Sequence, residues 1–574
     1  MALYTRWGER LDRAHPLPEY PRPQMRRQSY LNLNGPWDYA ITQDENAPRA
    51  YEGQIVVPFS PESPLSGVNR TLQKGQTLWY RRALDLPRGF LPAGHRLLVH
   101  FGAVDQEAEV YVNGALVKRH TGGYNAFFAD VTDSLSPDGG ELAVRVRDDT
   151  DASWHSRGKQ STKRGGIWYT PQSGIWQTVW AEAVPARHIE SVRMTPLFDQ
   201  GVVRLLVGGP EGAKGTAIAE GFPPVAFTAN VPFEIPVPGF EPWSPEHPRL
   251  YPLCLTLEDD RVDSYFAMRK IEIRADEKGT KRLFLNNRPY FQNGVLDQGY
   301  WPDGLYTAPA DEAMVFDIET MKKLGFNMLR KHIKVEPMRW YYHCDRLGML
   351  VWQDMPSGGG PYRFGTVTLP LVTGRHRRDD RYAAFGRESA QGRAAYESEL
   401  KEMVAQLYNV PSIVLWVPFN EGWGQFDAAR IYDLLRSLDP TRPVDHASGW
   451  HDQGVGELKS LHVYFKPYRF HPDRLGRAVA LTEFGGYNLR VEGHTWSDKR
   501  DFGYRRLKSP QALWQAYRAL YEKQIRPAIP RGLCAAVYTQ LSDVEDELNG
   551  LITYDRRVVK LSPEDVARLN ASLL

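Results

Sequence analysis

At 574 residues the chain is too long for a single hydrophobic core, so three or four domains are expected. Apolar residues at 42% and charged residues at 24% are ordinary globular values, and a formal charge of +2 gives no electrostatic basis for nucleic acid or a membrane as partner. Cys254, Cys344 and Cys534 are too widely spaced for a metal site or a disulfide framework, and each is expected to be a small buried apolar residue.

The N-terminus, MALYTRWGERLDRAHPLPEYPRPQMRR, lacks the apolar run of a signal peptide, and no later run is long enough to span a bilayer. A soluble, cytoplasmic protein is the expectation. The first third reads as β: HRLLVHFGAV, AEVYVNGALVKRH and ELAVRVRDD alternate or cluster β-formers between Gly, Asn and Asp. The Asn-Gly of VNGA accepts the positive φ of a type I′ hairpin turn. Short strands with such punctuation predict a jelly-roll sandwich over residues 1–185. A second β stretch, 186–275, has the size and spacing of an immunoglobulin-like sandwich.

From residue 276 to 574 the grammar changes. Helical patterns such as DEAMVFDIETMKKLG and YESELKEMVAQLY alternate with short apolar strands, FNMLRKH, MLVWQDM, SIVLWVPFNE, PVDHAS, KSLHVYF, AVALTEF and AAVYTQLSD. This predicts a parallel (β/α)8 barrel. In such a barrel the strand middles are apolar on both faces, and polar residues at the C-terminal ends line the functional mouth. Glu421 ends the fourth strand and Glu483 the seventh, each after an apolar run and before a glycine-rich loop. Two carboxylates facing each other across the mouth suit cleavage of a glycosidic bond.

The quoted stretches resemble glycoside hydrolase family 2. PSIVLWVPFNEGWGQ resembles its acid/base strand and LTEFGG its nucleophile strand. LNLNGPWDYAI, LWYRRALDLP, VHFGAVDQEAEVYVNGALVKRHTGGYNAFFADVTD and GIWQTVW resemble its sugar-binding jelly roll, and WSPEHPRLYPL the end of its immunoglobulin-like domain. The resemblance implies Glu421 as general acid/base, Glu483 as nucleophile, Asn420 as ligand of the sugar 2-hydroxyl, and a retaining mechanism. It places Arg330 near the nucleophile, His332 as a sugar ligand set one residue earlier than in galactosidase-like relatives, and His462 and Tyr464 beside the nucleophile on the sixth strand. Asp297 and Trp301, after the first strand, fall where relatives hold the terminal sugar.

Trp423 and Trp450 follow the fourth and fifth strands, where an indole can stack on a sugar or simply pack in the core. His446 ends the fifth strand and fits a core histidine equally well. The long loop over 357–387 is expected to wall the pocket, making the protein exo-acting. The partner implied is an oligosaccharide or glycoside; no cofactor or metal is implied, and a homo-oligomer is left open. Where glucuronidases of the family carry Asn-x-Lys, this chain reads DELN, which argues against an acidic sugar and towards a neutral galactoside or arabinoside. The alternatives are a β-mannosidase, a binding protein without catalysis, and a metal-dependent hydrolase using His332, His446, His462 and Asp354.

Overall fold

The computed structural model describes residues 3–136 and 139–573. Its N-terminal part is a jelly-roll sandwich. One antiparallel sheet orders Gly53–Val57, Gly35–Thr42, Thr77–Leu84, Gly140–Arg147, Glu107–Val112 and Ala115–Thr121; the other orders Leu31–Asn32, Val179–Pro185, His95–Phe101 and Phe127–Asp130. Alternation does the sorting: in Gly140–Arg147, Leu142, Val144 and Val146 face the core while Ala143 and Arg145 turn outward. Asn113 and Gly114 both adopt positive φ and join two strands, as the hairpin signal predicts.

A second sandwich packs a three-stranded sheet (Ser191–Leu197, Val202–Gly208, Phe233–Pro236) on a four-stranded one (Val225–Thr228, Lys214–Ala219, Tyr251–Leu257, Asp260–Phe266). The hairpin Ile271–Ala275/Lys281–Leu285 then puts Ile271, Ile273, Leu283 and Leu285 against Met328, Leu350, Val414 and Ala478, plugging the N-terminal end of the barrel.

Seven parallel strands form the curled sheet of the barrel, in the order Ile413–Val417, Leu350–Asp354, Met328–Lys331, Gln292–Asp297, Leu533–Thr539, Ala478–Gly485 and Leu458–Val463. The expected fifth strand, PVDHAS, is not a regular strand. Residues 443–448 bridge the gap instead, through isolated contacts of Val444 with Trp416 and Ser448 with Asn420. Pro443 has no N–H to give a ladder, and on the other side the Ser460 hydroxyl, bonded to Asp445 (2.9 Å) and to the Ala447 carbonyl (3.0 Å), takes the place of backbone pairing. Helices coat the outside. Pro510–Leu520 is representative: Ser509 caps it by accepting from Ala512 N, Pro510 occupies the first turn, and Leu513, Tyr517 and Leu520 form the buried stripe.

Among the described residues no helix is long and apolar enough to cross a membrane. Cys344 and Cys534 are buried as expected; Cys254 is not, because on Tyr251–Leu257 it falls on the partly exposed face opposite Leu253 and Leu255.

Candidate active site

The two glutamates reach the barrel mouth by different local routes. Glu483 lies within the fully buried strand Ala478–Gly485 and projects inward from extended backbone. Glu421 stands four residues beyond the strand Ile413–Val417, in the left-handed region at φ 52°. That conformation is costly for a non-glycine residue, and it is held by two bonds: Glu421 N donates to Ser448 O (3.0 Å) and the Trp450 indole donates to Glu421 O (2.9 Å). A carboxylate oxygen of each glutamate and a ring nitrogen of His462 all lie within 4.8 Å of one another. Chain segments 62 residues apart in sequence thus place both carboxyls at one point.

Arg330, fully buried, organises the floor. Its guanidinium donates to both oxygens of Asp354 (3.0 and 2.9 Å), to Asn420 Oδ1 (2.8 Å), to Glu483 Oε1 (3.2 Å) and to the Thr482 carbonyl (3.2 Å). Burial alone would weaken this cation, but Asp354 and Glu483 more than compensate and raise its pKa. Asn420 is thereby oriented: its oxygen is held by Arg330, while its buried Nδ2 has no protein partner among the described residues. His332 Nδ1 bonds Asp354 Oδ2 (3.0 Å), and burial, with Lys159 and Arg330 nearby, pushes its pKa well below the imidazole range, so it is neutral.

The carboxyls differ electrostatically. Burial lifts the pKa of Glu421 to about 7 against the partial opposition of Lys159 and Arg330, so it can carry a proton near neutrality. Glu483 is also raised by burial, but His462 and Arg330 oppose the rise, and Tyr464 donates its hydroxyl to Glu483 Oε2. His462 shares a 2.8 Å hydrogen bond with Glu421 through Nδ1 and contacts the Ser448 hydroxyl through Nε2 at 3.2 Å; burial lowers its pKa to about 4. One carboxyl that can hold a proton at neutral pH beside another that faces a permanent cation and a phenol is the division needed for acid–base and nucleophilic roles. Glu421, His462 and Glu483 are also spaced closely enough to share a metal ion.

Aromatic rings wall the mouth. Trp423 lies edge-on to His332 (5.9 Å between centroids) and beside Trp168 (5.2 Å) and Tyr362 (6.5 Å), which come from the jelly roll and the loop 357–387. Opposite, Tyr504 stacks on Tyr464 at 3.7 Å. In the long loop, residues 375–378 and 380 are exposed, with Arg378 paired to Asp380, whereas Asp379 is buried and accepts from Gln425 Nε2 (3.0 Å) and Ala428 N (2.9 Å).

Of the residues singled out in sequence, Glu421, Glu483, Asn420, Arg330, His332, His462, Tyr464, Trp423 and Trp450 converge here. Asp297 and Trp301 do not. Asp297 is occupied by Lys331 Nζ (2.7 Å) and Gly299 N (2.9 Å), because the side chain next to Arg330 on its strand alternates outward to the helix layer, where Lys331 also lies over Trp340. Trp301 is sandwiched by Arg556 (4.0 Å) and Trp7 (6.4 Å). His446 is buried and bonded to Asp452 at 3.0 Å, a packing role. Sequence reasoning missed Lys159, Trp168 and Tyr504, which sit on irregular loops without periodicity, and it placed Tyr362 at the mouth only through the loop 357–387, without singling it out.

Residues 278–481 match the model of the glycosyl hydrolases family 2 TIM barrel domain and residues 63–181 that of the family 2 sugar binding domain, together more than half of the chain. A β-galactosidase of Thermoanaerobacter pseudethanolicus is 24% identical over 395 residues, covering 64% of this chain and 48% of that protein. A putative β-glucuronidase of Formosa agariphila is 25% identical over 401 residues, covering 63% and 44%. This chain therefore spans about half the length of the curated relatives it matches. Among solved structures, a β-glucuronidase from an uncultured Clostridium superimposes with a TM-score of 0.74 at 17% identity, covering 96% of this chain and 99% of the other. A β-galacturonidase from Eisenbergiella tayi bound to galacturonate gives 0.70 at 20% identity, covering 96% and 99%. These structures share the fold.

Proposed function

Because the chain belongs to glycoside hydrolase family 2, we propose that it is a retaining, exo-acting β-glycosidase in which Glu421 is the general acid/base and Glu483 the nucleophile. The observation that carries this reading is the approach of the two carboxyls to within 4.8 Å. Retaining glycosidases hold their pair about 5–5.5 Å apart; inverting enzymes leave a gap of roughly 6.5–9.5 Å for a water. Glu483 attacks the anomeric carbon while Glu421 passes its proton to the departing oxygen, and the sugar becomes an ester of Glu483. The charge of Glu421 raises the pKa of Glu483, and repulsion between two carboxylates is mutual; esterification removes the charge of Glu483, so Glu421 ionises more readily and draws the proton from the water that releases the sugar.

The free Nδ2 of Asn420 supports a contact to the sugar 2-hydroxyl, a hydrogen bond that strengthens as positive charge grows at the anomeric centre. The wall of Trp423, Trp168 and Tyr362 supports a pocket rather than an open cleft, hence action at chain ends. The relatives' names frame the sugar as galactose- or glucose-configured. The neutral-sugar expectation rests on the DELN segment alone. The test is labelling by a mechanism-based 2-fluoro sugar followed by peptide mapping: the label is expected on Glu483, and Glu483→Gln should abolish turnover. A label on any other residue rejects the assignment.

A further inference from the structure

Residues 153–173 of the jelly roll cross the barrel mouth and are tied down along both sides. Arg157 N and Gly158 N both donate to Ser357 O (2.8 and 2.9 Å), and Ser156 pairs with Gly358. Farther along, Thr170 N donates to Glu545 (2.8 Å) and the Tyr169 hydroxyl to Glu547. Gly158, at φ 60°, fits where no side chain could: a Cβ would come within 2.6 Å of the Tyr306 hydroxyl and 2.8 Å of the Ile333 carbonyl. The next residue, Lys159, is consequently fixed in place.

Lys159 is 5% exposed. Its ammonium lies among aromatic faces, 4.9 Å from the centroid of Trp423, 5.6 Å from Tyr169 and 6.0 Å from Trp168. Among the described residues it donates no hydrogen bond, and no carboxylate oxygen lies within 4.0 Å of it. The neighbouring carboxylates are otherwise engaged: Glu421 with His462, and Glu547 with Tyr169 and Asn549. Trp423, which carries the ammonium on its face, is itself 5.9 Å from the His332 ring, so Lys159 borders the pocket that holds Glu421, and its charge is felt at both Glu421 and His332. Arg157, 4% exposed, repeats the pattern two residues earlier: its guanidinium lies 4.7 Å over Tyr362 and, among the described residues, donates only to the Gly359 carbonyl and has no carboxylate partner.

Buried cations in proteins are normally paired, because a desolvated charge without a partner is expensive. Aromatic faces attract a cation but offer no acceptor to its N–H groups. Elsewhere among the described residues buried lysines and arginines find acceptors: Lys331 meets Asp297 and Glu336, Lys560 meets Asp543, and Arg269 and Arg387, which lack a carboxylate, donate to two or more backbone carbonyls each. A buried, immobilised ammonium that opens onto the catalytic pocket without a counter-charge calls for an anion supplied by the ligand.

We infer that Lys159 anchors an anionic oxygen group, a carboxylate or a sulfate ester, carried by the sugar that Glu421 and Glu483 act on. The inference rests on the glycosidase reading and names its substrate class. It also departs from the sequence expectation of a neutral sugar: DELN brings no cation to the mouth, but a different domain does.

Kinetics on matched nitrophenyl β-glycosides of the galacto and gluco series, each as the neutral sugar, the uronide and the 6-sulfate, test this on the full chain. The wild type is expected to favour one anionic member over its neutral counterpart by at least 100-fold in kcat/KM, with uronide and sulfate arms separating the two sources of charge. Lys159→Met should collapse that preference to within tenfold, and Lys159→Arg should restore part of it, which a merely structural role would not produce. A wild type that prefers the neutral member in both series overturns the inference while leaving the glycosidase reading intact. So does an equal loss on all members in Lys159→Met. If nothing is hydrolysed, the glycosidase reading falls, and calorimetry on the inactive protein decides the subsite: glucuronate or galacturonate binding that disappears in Lys159→Met supports it, and no binding overturns it.

Discussion

Replacing Glu421 by Gln separates the electrostatics of the site from its shape. The side chain keeps its size and can still donate to His462 Nδ1, but it can no longer ionise. In the wild type, burial raises the carboxyl from its ordinary 4.5 to about 7. A folded-state pKa raised above the unfolded value means that the contribution of this group to stability is fully present below pH 4.5 and is lost as the pH rises through 7. The shift corresponds to about 3 kcal/mol. The variant lacks that loss, so its stability relative to the wild type should rise by about 3 kcal/mol between pH 4 and pH 8, or by roughly 2–3 °C in Tm for a chain that unfolds as one unit. Thermal unfolding of both proteins at the two pH values reads this directly. The same substitution should lower kcat/KM by about 10²–10⁴ on a glycoside with a poor leaving group, yet by less than about tenfold on a dinitrophenyl glycoside whose departure needs no proton. A Tm gap that ignores pH refutes the electrostatic account; equal losses on both leaving groups refute Glu421 as the acid.

Arg330→Met strands Asp354 and Glu483 without their buried cation, and about 3–5 kcal/mol of stability should be lost. The same change should raise the pKa of Glu483 further, so in any folded fraction the acid limb of the kcat/KM profile moves to higher pH; an unmoved limb would show that Arg330 does not hold the nucleophile ionised. Activity should survive exhaustive dialysis against a chelator, since paired carboxyls need no metal for this reaction. Loss of activity restored by a divalent cation would turn the Glu421, His462 and Glu483 trio into a metal site instead.

Much of this molecule can be read from residue order because its decisive features are local and periodic. Alternation in ELAVRVR sorts side chains onto two faces of a strand, and the apolar run IVLWV, buried at all five positions, announces a barrel strand whose polar end must face the mouth. Glu421 and Glu483 are legible for that reason: each is the first carboxylate after such a run. Arg330 is legible by position, but that it binds Asp354, Asn420 and Glu483 at once is not.

The failures have physical causes too. The fifth strand dissolves because Pro443 cannot donate and the Ser460 side chain substitutes for a ladder, an exchange that no pattern of apolar residues records. Asp297 carries the expected residue type at the expected strand end but is captured by Lys331, a neighbour chosen by the sheet. Lys159 lies in WHSRGKQSTKRGG, a stretch with no hydrophobic periodicity to mark it. Only the docking of one domain on another buries it against Trp423 at the barrel mouth. Periodicity reports how a segment meets its own sheet or helix; the charge a pocket presents depends on which distant segments are packed around it, and that is settled only when the whole chain is folded.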